Sequence, residues 1–176
     1  MKNTVSKLTT LLVLCAGAAM LSAGCESKPT MKKFDIGLTP QGTQKVEVDL
    51  VAVAETDADT WRDKNLDDYF SGNDKLRSDN AEFTRSFTFT EGQNAKVMIS
   101  VNDAIWTKWH EKRPKLFVLA NSRSLRAEAQ KTGVGKQDPR RKEITLMSDY
   151  WTQSNFDITV TDGGIRVNPP PTLITK

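Results

Sequence analysis

From Phe34 onward, apolar residues recur at every second position. Phe34, Ile36 and Leu38 alternate with polar neighbours, a half-buried strand that ends at Pro40. Gln41 to Gln44 makes a turn, and Val46, Val48 and Leu50 resume the alternation. Val51 and Val53 then place apolar groups on the opposite side, the pattern of a strand covered on both faces. Between Asp57 and Phe70 the period changes: Trp61 opens the segment, and Leu66, Tyr69 and Phe70 fall at helical spacing. Asp59 or Thr60 is placed to cap this helix and Gly72 to end it. Phe83, Phe87 and Phe89 alternate again, and Glu91 to Asn94 turns the chain into Val97, Ile99 and Val101, which predicts a hairpin. A short helix is expected around Ile105, Trp106 and Trp109, and a central strand at Leu116 to Leu119. Ser122 to Arg141 reads as a short helix near Leu125 to Lys131 and a long polar loop. Ile144 and Leu146 mark the next strand. Phe156, Ile158 and Val160 mark another, and Asp162-Gly163-Gly164 leads it into Ile165 and Val167 as a hairpin.

About eight short strands without regular helical crossovers favour antiparallel pairing, and strands apolar on so many faces favour two stacked sheets. The fold expected is mainly β, a two-sheet antiparallel β-sandwich with one or two short helical insertions. It spans residues 34–168, and a Pro-rich tail follows at 169–176.

The first 33 residues follow a different pattern. Lys2 and Lys7 precede about 13 uncharged residues, Leu8 to Met20, too few to span a bilayer as a helix. Leu21, Ser22, Ala23 and Gly24 then lead into Cys25, an arrangement that resembles a bacterial lipoprotein signal. That resemblance implies that residues 1–24 are removed and that Cys25 becomes a lipid-bearing first residue. The lipobox is less typical, because Ser22 stands where Leu is usual; the alternative is an ordinary secretory signal cut near Ala23-Gly24. Residues 25–33 form the lipidated N-terminus and tether. Cys25 is the single cysteine left in the mature chain, so no internal disulfide can form. Two or three acyl chains suffice for stable anchoring. Glu26, where retention in the inner membrane is associated with Asp, favours the outer membrane, periplasmic face.

Removing Lys2 and Lys7 lowers the formal charge from +3 to +1, which gives no basic stripe for nucleic acid. His110 is the single histidine, and with no cysteine beside it the usual zinc sites are excluded and no metal is expected. Asp67-Asp68 point in different directions from one helix and read as a solvated face; the basic run Asp138 to Lys142 reads as a solvated loop or, as the sharper alternative, a contact for an acidic partner or lipid headgroups. Neither a P-loop nor G-x-G-x-x-G is present. Trp106 and Trp109 seal the edge of a core or, as the sharper alternative, offer a ligand or partner surface. No constellation amounts to an active site, so no enzyme, no small-molecule substrate and no cofactor beyond the covalent lipid are expected.

Several segments together resemble the TssJ (VasD-like) lipoproteins of the type VI secretion system. Val46 to Val53 is similar to that family's second strand, and Trp61…Leu66-Asp67-Asp68-Tyr69-Phe70 to its helix. Phe87 to Gln93 resembles the strand and turn that follow, and Leu116 to Ala120 the next buried strand. The resemblance implies an outer-membrane-anchored structural component of a trans-envelope complex, docking the periplasmic domain of a large inner-membrane secretion component. It also assigns that contact to the loop between the first two strands, here Pro40, Gln41, Gly42, Thr43 and Gln44. This loop is shorter than is common in the family, and the excursion Ser122 to Arg141 is longer. The other reading is a periplasmic ligand-binding or adaptor lipoprotein of a different envelope system.

Overall fold

A computed structural model describes residues 30–42, 44–109, 112–132 and 137–174. The alternation becomes eight strands among these residues: β1 (Asp35–Gln41), β2 (Val46–Val53), β3 (Thr84–Phe89), β4 (Val97–Ile99), β5 (Lys115–Asn121), β6 (Arg141–Thr145), β7 (Asn155–Thr161) and β8 (Gly164–Asn168). They form two four-stranded sheets, ordered β4-β1-β7-β8 and β3-β2-β5-β6. Phe34, Ile36, Leu38, Val48, Leu50, Leu116, Val118 and Ile158 meet between the sheets with no exposed surface. The sandwich expected from the pattern is the fold.

Pairing is antiparallel except between β1 and β7, which run parallel with Ile36 opposite Phe156 and Leu38 opposite Ile158. The cause is the chain path. β6 delivers the chain to the end of the sandwich where β1 begins, so β7 enters from that same end. Pro40 does not end β1; it continues the pairing, opposite Val160. It is tolerated because β4 covers β1 only at Ile36, Gly37 and Leu38, leaving the other edge open at Pro40.

The hairpin expected between β3 and β4 does not form. β3 pairs with β2 and β4 with β1, so the connection around Gly92 (φ 73°) crosses from one sheet to the other. Alternation tells which side of a strand meets a core, not which strand lies beside it. The hairpin across Asp162 and Gly163 does form, joining β7 to β8.

The expected three-turn helix is broken into α1 (Ala58–Asp63) and α2 (Leu66–Tyr69). In one straight helix Trp61 and Leu66 would lie about 140° apart. The break at Lys64 (ψ 129°) lets both be buried, and the Asn65 side chain caps the new start by accepting from Asp67 N at 2.8 Å. A further turn, α3 (Lys75–Asp79), follows Gly72, whose φ of 92° suits glycine. These helices cover the outer face of β2 and β5. Trp61, Leu66 and Tyr69 pack there on Val51, Val53, Phe117 and Leu119, forming a second apolar layer.

Charges join this outer layer. Asp49 of β2 is fully buried and accepts from Tyr69 Oη at 2.9 Å and from Arg77 Nε at 2.9 Å. Burial, then the neighbouring Asp49 charge, pushes the Tyr69 phenol well above its ordinary value. The run Asp138 to Lys142 is not the solvated loop expected from its composition. Arg140 and Asp138 side chains are each 1% exposed and paired at 2.8 Å, and Arg140 also reaches Asp67 of α2 at 2.6 Å. Arg141 donates to the carbonyls of Arg62 and Lys64. Arg62 grips Glu143 through two bonds of 2.6 and 2.7 Å.

Candidate docking surface

Direction of travel sorts the loops into two groups. β1 enters the sandwich at Asp35 and leaves at Gln41; seven residues at ~3.3 Å each separate the two ends by about 20 Å. The starts of β1 and β7, the ends of β2 and β6, and the segment around α4 (Ile105–Trp109) share the entry end. The loop after β1, the turn around Gly92, the start of α5 (Arg123–Thr132) and the β7–β8 turn share the far end.

The entry end is closed by aromatic rings. Phe34 lies 4.9 Å from Trp151 and 5.3 Å from Phe156, and Trp106 stands edge-on to Trp109 at 5.2 Å. Trp106 and Trp109 are fully buried, and their indole N–H groups donate to the carbonyls of Ser100 (2.9 Å) and Phe83 (2.8 Å). No ring face is left for a ligand or partner. The surface role allowed for this pair is therefore corrected: burial with both donors satisfied makes them core residues.

At the far end, the loop Pro40 to Gln44 is fitted against two other segments. A Cβ on Gly42 would lie 3.0 Å from Asp162 Oδ1, so the loop backbone rests on the β7–β8 turn. Gln44 Oε1 accepts from Ser124 N at 3.2 Å, and Ser124 Oγ donates to Asp162 Oδ1 at 2.6 Å. Ser122 Oγ accepts from Leu125 N at 3.2 Å and caps α5. The helix expected near Leu125 begins two residues earlier because of this cap. Beside it opens a cleft of about 510 Å³, lined by Gln44, Lys45, Glu47, Glu91, Arg123 and Arg126. Its charges are of both signs.

Pro40 is buried, Gln41 is exposed, and Gly42 and Gln44 are half-buried. Cys25, with Leu21, Ser22, Ala23 and Gly24 before it, lies outside the described residues, as do Thr43 and His110. The Gln44–Ser124–Asp162 contact was missed by sequence reasoning. Its one local signal was Ser122 directly after an apolar strand, the position of a helix cap. Among the described residues no group of three or more His, Cys, Asp or Glu side chains could hold a metal ion. No helix among them is long and apolar enough to cross a membrane.

No protein-family model and no curated protein matches the chain. Solved structures do resemble it. Over 80% of this chain and 99% of the other, it is similar to the T6SS lipoprotein TssJ1 from Pseudomonas aeruginosa, at 15% identity and a TM-score of 0.46. Over 77% of this chain and 99% of the other, it is similar to the C-terminal domain (869-1107) of the T6SS protein TssM from EAEC, at 8% identity and a TM-score of 0.47. It is also similar to Serratia marcescens Lip, a membrane-bound component of the type VI secretion system, over 76% and 96% of the two chains, at 12% identity and a TM-score of 0.43.

Proposed function

We propose that this chain is a lipoprotein held by Cys25 to the periplasmic face of the outer membrane. There it docks the periplasmic domain of a large inner-membrane component and so fixes a type VI secretion trans-envelope complex. The observation that carries the reading is the polarity of the sandwich. The tether side enters at Phe34, and the loop Pro40 to Gln44, where the family resemblance puts the partner contact, lies about 20 Å away at the opposite end. A domain with its anchor at one end and its contact at the other can bridge two membranes by position alone. Contacts of Gly42 with Asp162 and of Gln44 with Ser124 hold the loop at those two positions, which lowers the entropy lost on docking. Such a role asks for no catalytic residue.

The test is a pull-down from detergent-solubilised envelopes with the tagged full chain. Wild type is expected to recover a large inner-membrane protein, and Gln41→Arg, which changes an exposed loop position, to recover much less. If wild type brings down no such protein, the docking role is wrong. Cys25→Ser is expected to leave an uncleaved or soluble protein; fractionation of that variant with the outer membrane would overturn the anchor.

A further inference from the structure

Both ends of the described chain are held by one short segment at the entry end. On one side, Lys32 N donates to Leu146 O and Ser148 N to Thr30 O, each at 2.8 Å, and Met31 bridges Met147. On the other, Thr172 N donates to Tyr150 O at 3.0 Å and Ile174 N to Asp149 O at 2.8 Å. Residues 169–174 join neither sheet, and backbone bonds at Thr172 and Ile174 hold them to the domain. The domain's hold likewise begins at Thr30, within the stretch read as tether.

Two consequences follow. Thr30 is five residues from Cys25, so the covalent path between them spans at most about 18 Å. A lipid on Cys25 therefore keeps the entry end beside the bilayer. The same bonding fixes the last described residues next to that path, and it leaves Leu173 54% and Ile174 36% exposed. The other large apolar side chain standing exposed among the described residues is Met98, at 55%, in the middle of the edge strand β4. Two adjacent aliphatic side chains held out by backbone bonds gain nothing in water. Lys33, just before β1, is exposed at the same end of the sandwich, and Tyr150 with Pro170 and Thr172 lines a recess of about 200 Å³. Aliphatic side chains, a tyrosine and a lysine are the composition that settles at the headgroup level of a bilayer.

We infer that this end of the sandwich is a membrane-contacting face, with Leu173 and Ile174 entering the lipid headgroup region and Lys33 meeting lipid phosphates. The inference rests on the anchor at Cys25. Its consequence is orientation: two contacts, the lipid and this face, hold the sandwich upright, so that the loop Pro40 to Gln44 points away from the bilayer. A single anchoring point would let the domain tumble.

The test uses the full chain produced through its own export signal. Leu173→Cys, or Met98→Cys as the comparison, is labelled on the introduced thiol with the environment-sensitive fluorophore nitrobenzoxadiazole. The protein is reconstituted into phosphatidylethanolamine–phosphatidylglycerol vesicles with or without doxyl lipids. The probe at 173 is expected to shift to the blue and lose intensity with doxyl lipid, while the probe at 98 does neither. Adding Ile174→Asp is expected to reverse most of the response at 173. If the chain floats with the vesicles, mass spectrometry finds lipid on Cys25, and the two probes still respond alike, the face is wrong and the anchor stands. If the chain neither floats nor carries lipid, the anchor fails and this inference falls with it.

Discussion

Between the sheets, Leu38, Leu50, Val118 and Ile158 meet other apolar side chains and no buried charge. Beneath the helices, Val51, Val53, Trp61 and Phe117 share their layer with buried Asp49, and Asp138, Arg140 and Arg141 close its rim. The first layer is made by strands that alternate and stack. The second rests on helices of six, four and five residues, too short to hold their shape alone. Ion pairs and caps from distant segments supply what the short helices lack. Apolar pattern builds the sandwich, and buried charge attaches a coat to it.

Removing one member of a buried pair should therefore cost the coat more than its small size suggests. Arg140→Ala leaves the Asp138 carboxylate buried without its partner, an expected loss of about 3–5 kcal/mol in urea unfolding. Adding Asp138→Asn to that variant should recover a large part, because the stranded charge goes. The comparison is Leu50→Ala between the sheets, expected to cost about 2–5 kcal/mol through lost burial and a cavity. No second polar change would rescue it. If Asp138→Asn restores nothing, the coat is held by packing and the distinction collapses.

Acid should separate the layers as well. The Arg62 bonds, outweighing burial, hold the Glu143 carboxyl below its usual range. At Asp74, burial alone would raise the carboxyl, but Lys64 and the Arg77 amide outweigh it and leave it lowered. Groups with lowered folded values contribute stability above their unfolded values, near 4, and lose it as pH falls through the folded ones. Protection against hydrogen exchange in α1 to α3, taken relative to the intrinsic rate, should therefore fall on acidification below about pH 4, before protection in β2 and β5 does. Glu143→Gln should weaken the coat at pH 7 and flatten its acid response. An equal fall of protection in helices and strands would show that the coat and sandwich unfold as one.

The same contrast explains what could be read in advance. Phe34-Ile36-Leu38, Val46 to Val53, Leu116 to Leu119 and Phe156-Ile158-Val160 carry their burial in their own spacing, and each lies in the core. β3 and β4 carry the same spacing but belong to different sheets, since a neighbour is chosen by the whole chain path. Asp138, Arg140 and Arg141 look solvated because local composition is all that a sequence window holds. Their burial depends on Asp67, Arg62 and Lys64, more than seventy residues away. The far end is alike in this respect: Gln44, Ser124 and Asp162 meet only after three connections converge. The bonds that seat its loop link positions 80 and 38 residues apart, beyond the reach of any local pattern.

The smallest effect expected is at Asn65, where a single side-chain bond turns a would-be helix into two. Alanine there leaves the Asp67 amide without its 2.8 Å acceptor and should cost about 1 kcal/mol. The loss should fall on α2 alone, seen as faster exchange at Tyr69 and Phe70, which bond back to Asn65 and Leu66. Asn65→Asp keeps an acceptor and should restore slow exchange. Alanine has the higher helix propensity, so it also tests the reason for the break. If α1 and α2 fuse in Asn65→Ala, Trp61 and Leu66 cannot both stay buried, and the cap is what places them. If exchange in α2 does not change, burial of Leu66 and Tyr69 holds the turn without its cap. The coat would then resemble the sandwich more closely than its charges imply.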